Sequence, residues 1–208
     1  MAIVHHPDVT TVMTCSAGSQ PEALCAVVTS HLSMCPDCMR ELSLLEEIGV
    51  GLFECSPSDE KVEMSSLPGT AEVLNQVRDP AVEPTEGDVP WPLISILGHS
   101  LDALKWIEMR PGISTVEITL STNARGDLRL LNLAPGAELP EHGHSGEELS
   151  LVLRGSCRDD FGRFGVGDVS DLDDDHRHSV VAGPQGCIIL IASETHPAFL
   201  AEPADNDA

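Results

Sequence analysis

The chain has 208 residues, with 34 acidic against 11 basic side chains and a formal net charge of −23. That balance excludes direct binding to nucleic acid, whose phosphates it would repel, and suits encounter with a basic protein surface. No window approaches the ~20 apolar residues of a membrane span, and the N-terminus lacks the basic start and apolar core of a secretory leader. Seven unevenly spaced cysteines do not form a disulfide framework, so a reducing cytoplasm is expected. The length and an apolar content of 41% allow two small domains with real cores.

Residues 1–9 read as an extended arm carrying His5 and His6, with Pro7 biasing His6 away from helix. A short helical pattern over 9–17 is broken by Gly18. Pro21 then opens a helix to about residue 34, with Leu24, Val27, Val28 and His31 on one stripe. A third helix is expected over 36–54, with Leu42, Leu45, Ile48 and Leu52 recurring at three and four. Three such helices alone make a thin core, which a metal would reinforce.

The junction between the second and third helices carries the strongest signal, His31-Leu-Ser-Met-Cys35-Pro-Asp-Cys38. His31 and Cys35 are one helical turn apart and share a face. Pro36 interrupts one helix and starts the next, which lets both sulfurs converge. One imidazole and two thiolates are three arms of a tetrahedral zinc site, and His5 or His6 can supply the fourth.

Residues 55–92 read as a proline-rich acidic connector, with one marginal helix at 70–77. From about residue 101 the texture changes to short apolar runs at 116–120, 128–133, 148–153 and 187–191, separated by glycines. Such strands predict a small antiparallel barrel or jelly roll. Within it, Gly136, His142, His144, Glu148 and Gly155 follow a fixed spacing. His142 and His144 share one face of a strand, and Glu148 returns on the neighbouring strand. With a third imidazole, expected at His178, they make a site for a first-row divalent metal. His99 and His196 read as surface or packing residues rather than ligands, and Cys15, Cys25, Cys55 and Cys157 have no evident partner.

The segment 136–155 resembles the first cupin motif at both glycines, both histidines and the glutamate. The His6, His31, Cys35, Cys38 set resembles the zinc-binding anti-sigma module. Together, in this order and across nearly the whole chain, they resemble the ChrR-type anti-sigma factors. The resemblance implies a two-domain, α plus all-β protein: a zinc-stapled helical anti-sigma domain at 1–80, a linker at 81–100 and a cupin jelly-roll barrel at 101–208. It implies zinc on His6, His31, Cys35 and Cys38, and zinc or another first-row divalent metal on His142, His144, Glu148 and His178. It implies a non-enzymatic role: sequestering an extracytoplasmic-function (ECF) sigma factor, with release under oxidative stress such as singlet oxygen. The second cupin motif is degenerate and offers both His176 and His178; the distance to Ala182 favours His178. Cys187 is followed two residues later by Ile189 rather than by a second cysteine, so a redox switch built on that strand is not expected. The rival reading is a metal-dependent cupin enzyme of the dioxygenase or isomerase type. A groove between the second and third helices, anchored by Leu42 and Leu45, is the expected docking site.

Overall fold

The computed structural model describes residues 2–54, 87–122 and 124–195. The candidate helix at 70–77, Cys55 and His196 lie outside the described residues. Helix α1 (Val9–Ser16) is capped by Asp8, whose carboxylate accepts from the Thr10 amide at 2.7 Å. Helix α2 (Glu22–Met34) follows Pro21 and ends at Cys35, which is extended at φ −115°. A residue before proline is pushed out of the helical region, and Pro36 then starts helix α3 (Pro36–Glu54). The two zinc-motif cysteines therefore bracket a forced corner.

Single helical turns at Trp91–Leu93, Ile94–Leu97 and Leu101–Ala103 lead into eight antiparallel strands. These are β1 (Ile107–Arg110), β2 (Ile113–Glu117), β3 (Asp127–Leu133), β4 (Glu138–Gly143), β5 (Glu148–Arg158), β6 (Arg163–Gly165), β7 (Val169–Leu172) and β8 (Arg177–Ser193). The main path runs β1-β2-β3-β8-β5-β6, with β4 on β8 and β7 on β5. The long strands β5 and β8 change partners along their length. The end of β8 lies between β3 and β5, whereas its start lies between β4 and β5. Gly155 permits the bend in β5: its φ is +75°, and a Cβ there would lie 2.1 Å from the Gly186 carbonyl oxygen.

Strand β8 is buried on both faces, which explains the unbroken apolar run at 187–192. Cys187, Ile189 and Ile191 face the barrel interior with Leu131, Leu133, Val152 and Phe164. Ile188, Leu190 and Ala192 face outward into a second core, where they meet Leu24, Val27 and Val28 of α2. Each such buried Leu, Ile or Val contributes about 1.5–3 kcal/mol. The helical layer thus does not depend on a thin core of its own, because α2 covers the outside of the sheet. Val89 and Leu93 join this core, and Arg154 of β5 pairs with Asp88 and Asp102, fixing the approach segment to the barrel.

The fold also joins cysteines far apart in sequence. The thiol of Cys187 on β8 interacts with that of Cys157 on β5, and Cys25 Sγ on α2 lies 4.0 Å from the Cys15 carbonyl oxygen on α1. In each pair the partner's thiol and then burial push one pKa well above the ordinary thiol range: Cys187 in the first, Cys15 in the second.

Candidate metal centres

Two clusters of ligand-type side chains converge, each with one donor atom per residue and all four donors within 4.8 Å of one another. The first is His6, His31, Cys35 and Cys38. The Cys35 and Cys38 sulfurs lie 3.5 and 3.2 Å from His6 Nδ1, and His31 Nε2 lies 3.3 Å from Cys38 Sγ. Ligands at 2.0–2.3 Å around a tetrahedral zinc stand about 3.3–3.8 Å apart, so the donors already have nearly that spacing. His5 does not join them; its ring stacks on Phe164 at 4.5 Å between centroids.

His31 is fully buried, and its Nδ1 lies 2.8 Å from the Gly167 carbonyl oxygen. A carbonyl only accepts, so Nδ1 carries the proton and the Nε2 lone pair faces the sulfurs. Burial drives the His31 pKa down to about 4, which keeps the ring neutral and suited to a metal. Burial, the Cys35 thiol and the acids Glu41 and Asp37 push the Cys38 thiol up to about 12. A cation at the centre would reverse that preference and draw out the thiolate.

The second cluster is His142, His144, Glu148 and His178. His142 near the end of β4 is the register partner of His178 on β8, and their Nε2 atoms are 3.2 Å apart. His144 follows β4 and Glu148 opens β5. His142 holds its Nδ1 proton on the Pro140 carbonyl at 2.9 Å, and His178 holds its own on Asp159 Oδ2 at 3.1 Å. Burial keeps His142 below its usual pKa, so it too is neutral. The His144 ring nitrogens are buried and make no hydrogen bond, although Nε2 stands 3.3 Å from Glu148 Oε1. Orphaned buried nitrogens aimed at a carboxylate and two further imidazoles fit a first-row divalent cation. His176 lies apart, paired at 2.5 Å with the exposed Asp173. Beside the cluster is a cavity of about 30 Å³ lined by Leu139, Val152 and Phe164.

Sequence reasoning missed the residues behind the ligands. Asp159 sits in an Asp-Asp-Phe-Gly turn whose local chemistry is readable, since its Oδ1 accepts from the amides of Phe161 and Gly162. Its partner His178 is 19 residues away, and no short-range signal links them. Gly167 likewise reads as a turn glycine, while its carbonyl reaches 136 residues back to His31.

The family described as the ChrR cupin-like domain matches residues 97–196. The anti-sigma-E factor ChrR of Cereibacter sphaeroides is 33% identical over 202 residues, covering 96% of this chain and 93% of that protein. The solved structure of Rhodobacter sphaeroides SigE in complex with the anti-sigma ChrR matches with a TM-score of 0.73 at 32% identity, covering 92% of this chain and 100% of that one. A helical layer with one cysteine–histidine cluster, a barrel with a second cluster, and this likeness along almost the whole length place the chain in the ChrR family of anti-sigma factors.

Proposed function

We propose that this protein sequesters an ECF sigma factor through its helical layer and that the barrel governs release. The observation that carries the docking reading is an exposed apolar face on α1 and α3. Val9 and Met13 stand one turn apart on α1, and Leu44 and Ile48 one turn apart on α3, the latter pair 56% and 59% exposed. The two helices are tied by Ser16 Oγ donating to Glu46 Oε1 at 3.3 Å. Asp37, Glu41 and Glu47 are exposed on the same helix α3, and a basic, amphipathic partner complements both features. The anchors differ from those expected in the sequence. Leu42 is 1% exposed and belongs to the protein's own core, and Leu45 is half-buried, so docking falls to the exposed Leu44 and Ile48.

Residues 1–80 would then dock the partner, 81–100 connect and 101–208 sense. Zinc suits the closed Cys₂His₂ set, where it would hold the arm to the α2–α3 corner. His142, His144, Glu148 and His178 would hold zinc or another first-row divalent ion in the barrel, and oxidative stress is the stimulus class. Among the described residues no helix is long and apolar enough to cross a membrane, and reduced thiols suit the cytoplasm. An enzymatic reading needs space for substrate beside the second cluster. The cavity of about 30 Å³ there accommodates about two water molecules.

The test is co-expression with an ECF sigma factor of the same organism, followed by size exclusion. Wild type should co-elute with the partner, whereas Leu44→Glu/Ile48→Glu should elute alone while keeping its fold. Co-elution of that variant would remove the docking face from the account.

A further inference from the structure

Gly167 and Asp168 occupy the turn between β6 and β7, yet their contacts lead out of the barrel. The Gly167 carbonyl takes the Nδ1 proton of His31 at 2.8 Å. Asp168, 2% exposed, takes the amides of Val4 at 2.7 Å and His5 at 3.0 Å on Oδ1, and that of Gly165 at 2.7 Å on Oδ2. The Val169 amide then donates to the His5 carbonyl at 3.1 Å. The arm is thereby laid along the turn like an added strand, and the next residue is His6. Burial would raise the Asp168 pKa, but the three amides outweigh it and hold the carboxyl below its usual range.

We propose that this barrel turn is the outer shell of the first metal site, with Asp168 the positioning residue for His6 and the Gly167 carbonyl that for His31. This rests on the ligand assignment above. Two of the four donors then owe their aim to the sensing domain: the His31 tautomer is fixed by a barrel carbonyl, and the His6 backbone follows two amides clamped by a barrel carboxylate. Outer-shell partners of this kind typically change metal affinity by about 10- to 100-fold. Displacement of the turn within the barrel would loosen the cluster that shapes the docking helices, with no ligand altered.

Full-length protein loaded with Co(II) separates the two sites, because sulfur-to-cobalt charge-transfer absorption arises only where Cys35 and Cys38 are bound. Asp168→Asn is nearly isosteric, but its amide nitrogen must face a backbone N–H. Gly167→Ala acts independently, since a side chain is strained at its φ of +92° and its Cβ would crowd Ile3 of the arm at 2.6 Å, distorting the turn that carries the carbonyl. Both variants should lose the charge-transfer band to a competing chelator at about 10- to 100-fold lower chelator concentration, with the sulfur-free barrel site unchanged. Unchanged competition in both variants overturns the proposal. Parallel weakening of both sites also overturns it, by making the turn a general fold element. A wild-type protein without the charge-transfer band would instead refute the ligand assignment itself.

Discussion

The carboxylate of Asp159 and the imidazole of His178 form a buried pair 3.1 Å apart, with side chains 3% and 4% exposed. Asp159 uses its other oxygen on the Phe161 and Gly162 amides at 2.8 and 2.9 Å, so it cannot swing away without undoing the β5–β6 turn. Asp159→Asn keeps those turn bonds through its carbonyl oxygen and presents an NH₂ to His178. Two donors cannot face each other, so the ring shifts its proton to Nε2, the atom that faces His142. Metal affinity of the barrel site should fall about 10- to 100-fold, read by competitive titration. The ¹⁵N shifts of His178 should report the tautomer change, and the cysteine site should be unaffected. Unaltered barrel affinity would deny Asp159 this role.

Leu42 and Ile48 separate folding from docking on one helix. Leu42→Ala empties a fully enclosed position and should cost about 2–5 kcal/mol in urea unfolding. Ile48→Ala, at an exposed site, should change stability by no more than about 0.5 kcal/mol. If Ile48 anchors the sigma factor, that same change should weaken binding by 2 kcal/mol or more, about 30-fold, in calorimetric titration.

Leu190 probes the unity of the molecule. It is fully buried in the core that α2 shares with the outer face of the sheet. Leu190→Ala should therefore destabilise helices and barrel together, by about 2–5 kcal/mol. Far-ultraviolet dichroism and tryptophan emission should then follow one transition. Two separate transitions would mean that the layers fold independently.

Much of this was legible in the sequence because it depends on near neighbours. The α2–α3 corner follows from Pro36 after Cys35, and the β4–β5 ligands follow from strand alternation and the Gly146 turn. The choice of His6 over His5, and of His178 over His176, rested on the family resemblance, since adjacent or alternate histidines obey the same local rules; the structure brings His6 and His178 into the clusters and leaves His5 and His176 outside. The helical layer seemed thin because the run at 187–192 carries no mark of what lies on each face. A strand buried on both sides has no polar alternation, and only the structure assigns one side to α2. The exposure of Ile48 and burial of Leu42 have the same origin: a 3.6-residue stripe locates an apolar face, and the neighbours decide which part of it is covered.

Chelation tests how the first cluster and the shared core divide the work. Structural zinc in small modules contributes on the order of 10 kcal/mol or more, which would suggest wholesale unfolding of the helices on its removal. Here α2 is held by Leu24, Val27 and Val28 against the sheet, contacts that owe nothing to a cation. The arm is likewise tied to the barrel by its Val4 and His5 amides on Asp168, whereas α3 enters the cluster through Cys38 near its start, beside His6 of the arm. Removing metal should therefore loosen α3 selectively. In hydrogen exchange, amides of α3 should lose protection by about 10-fold or more, while those of α2 and β8 keep theirs. The Cys35→Ser/Cys38→Ser variant should reproduce that pattern without chelator and should lose the sigma factor in pull-down. Uniform loss across α2 and α3 would show that the metal, and not the shared core, holds the second helix in place.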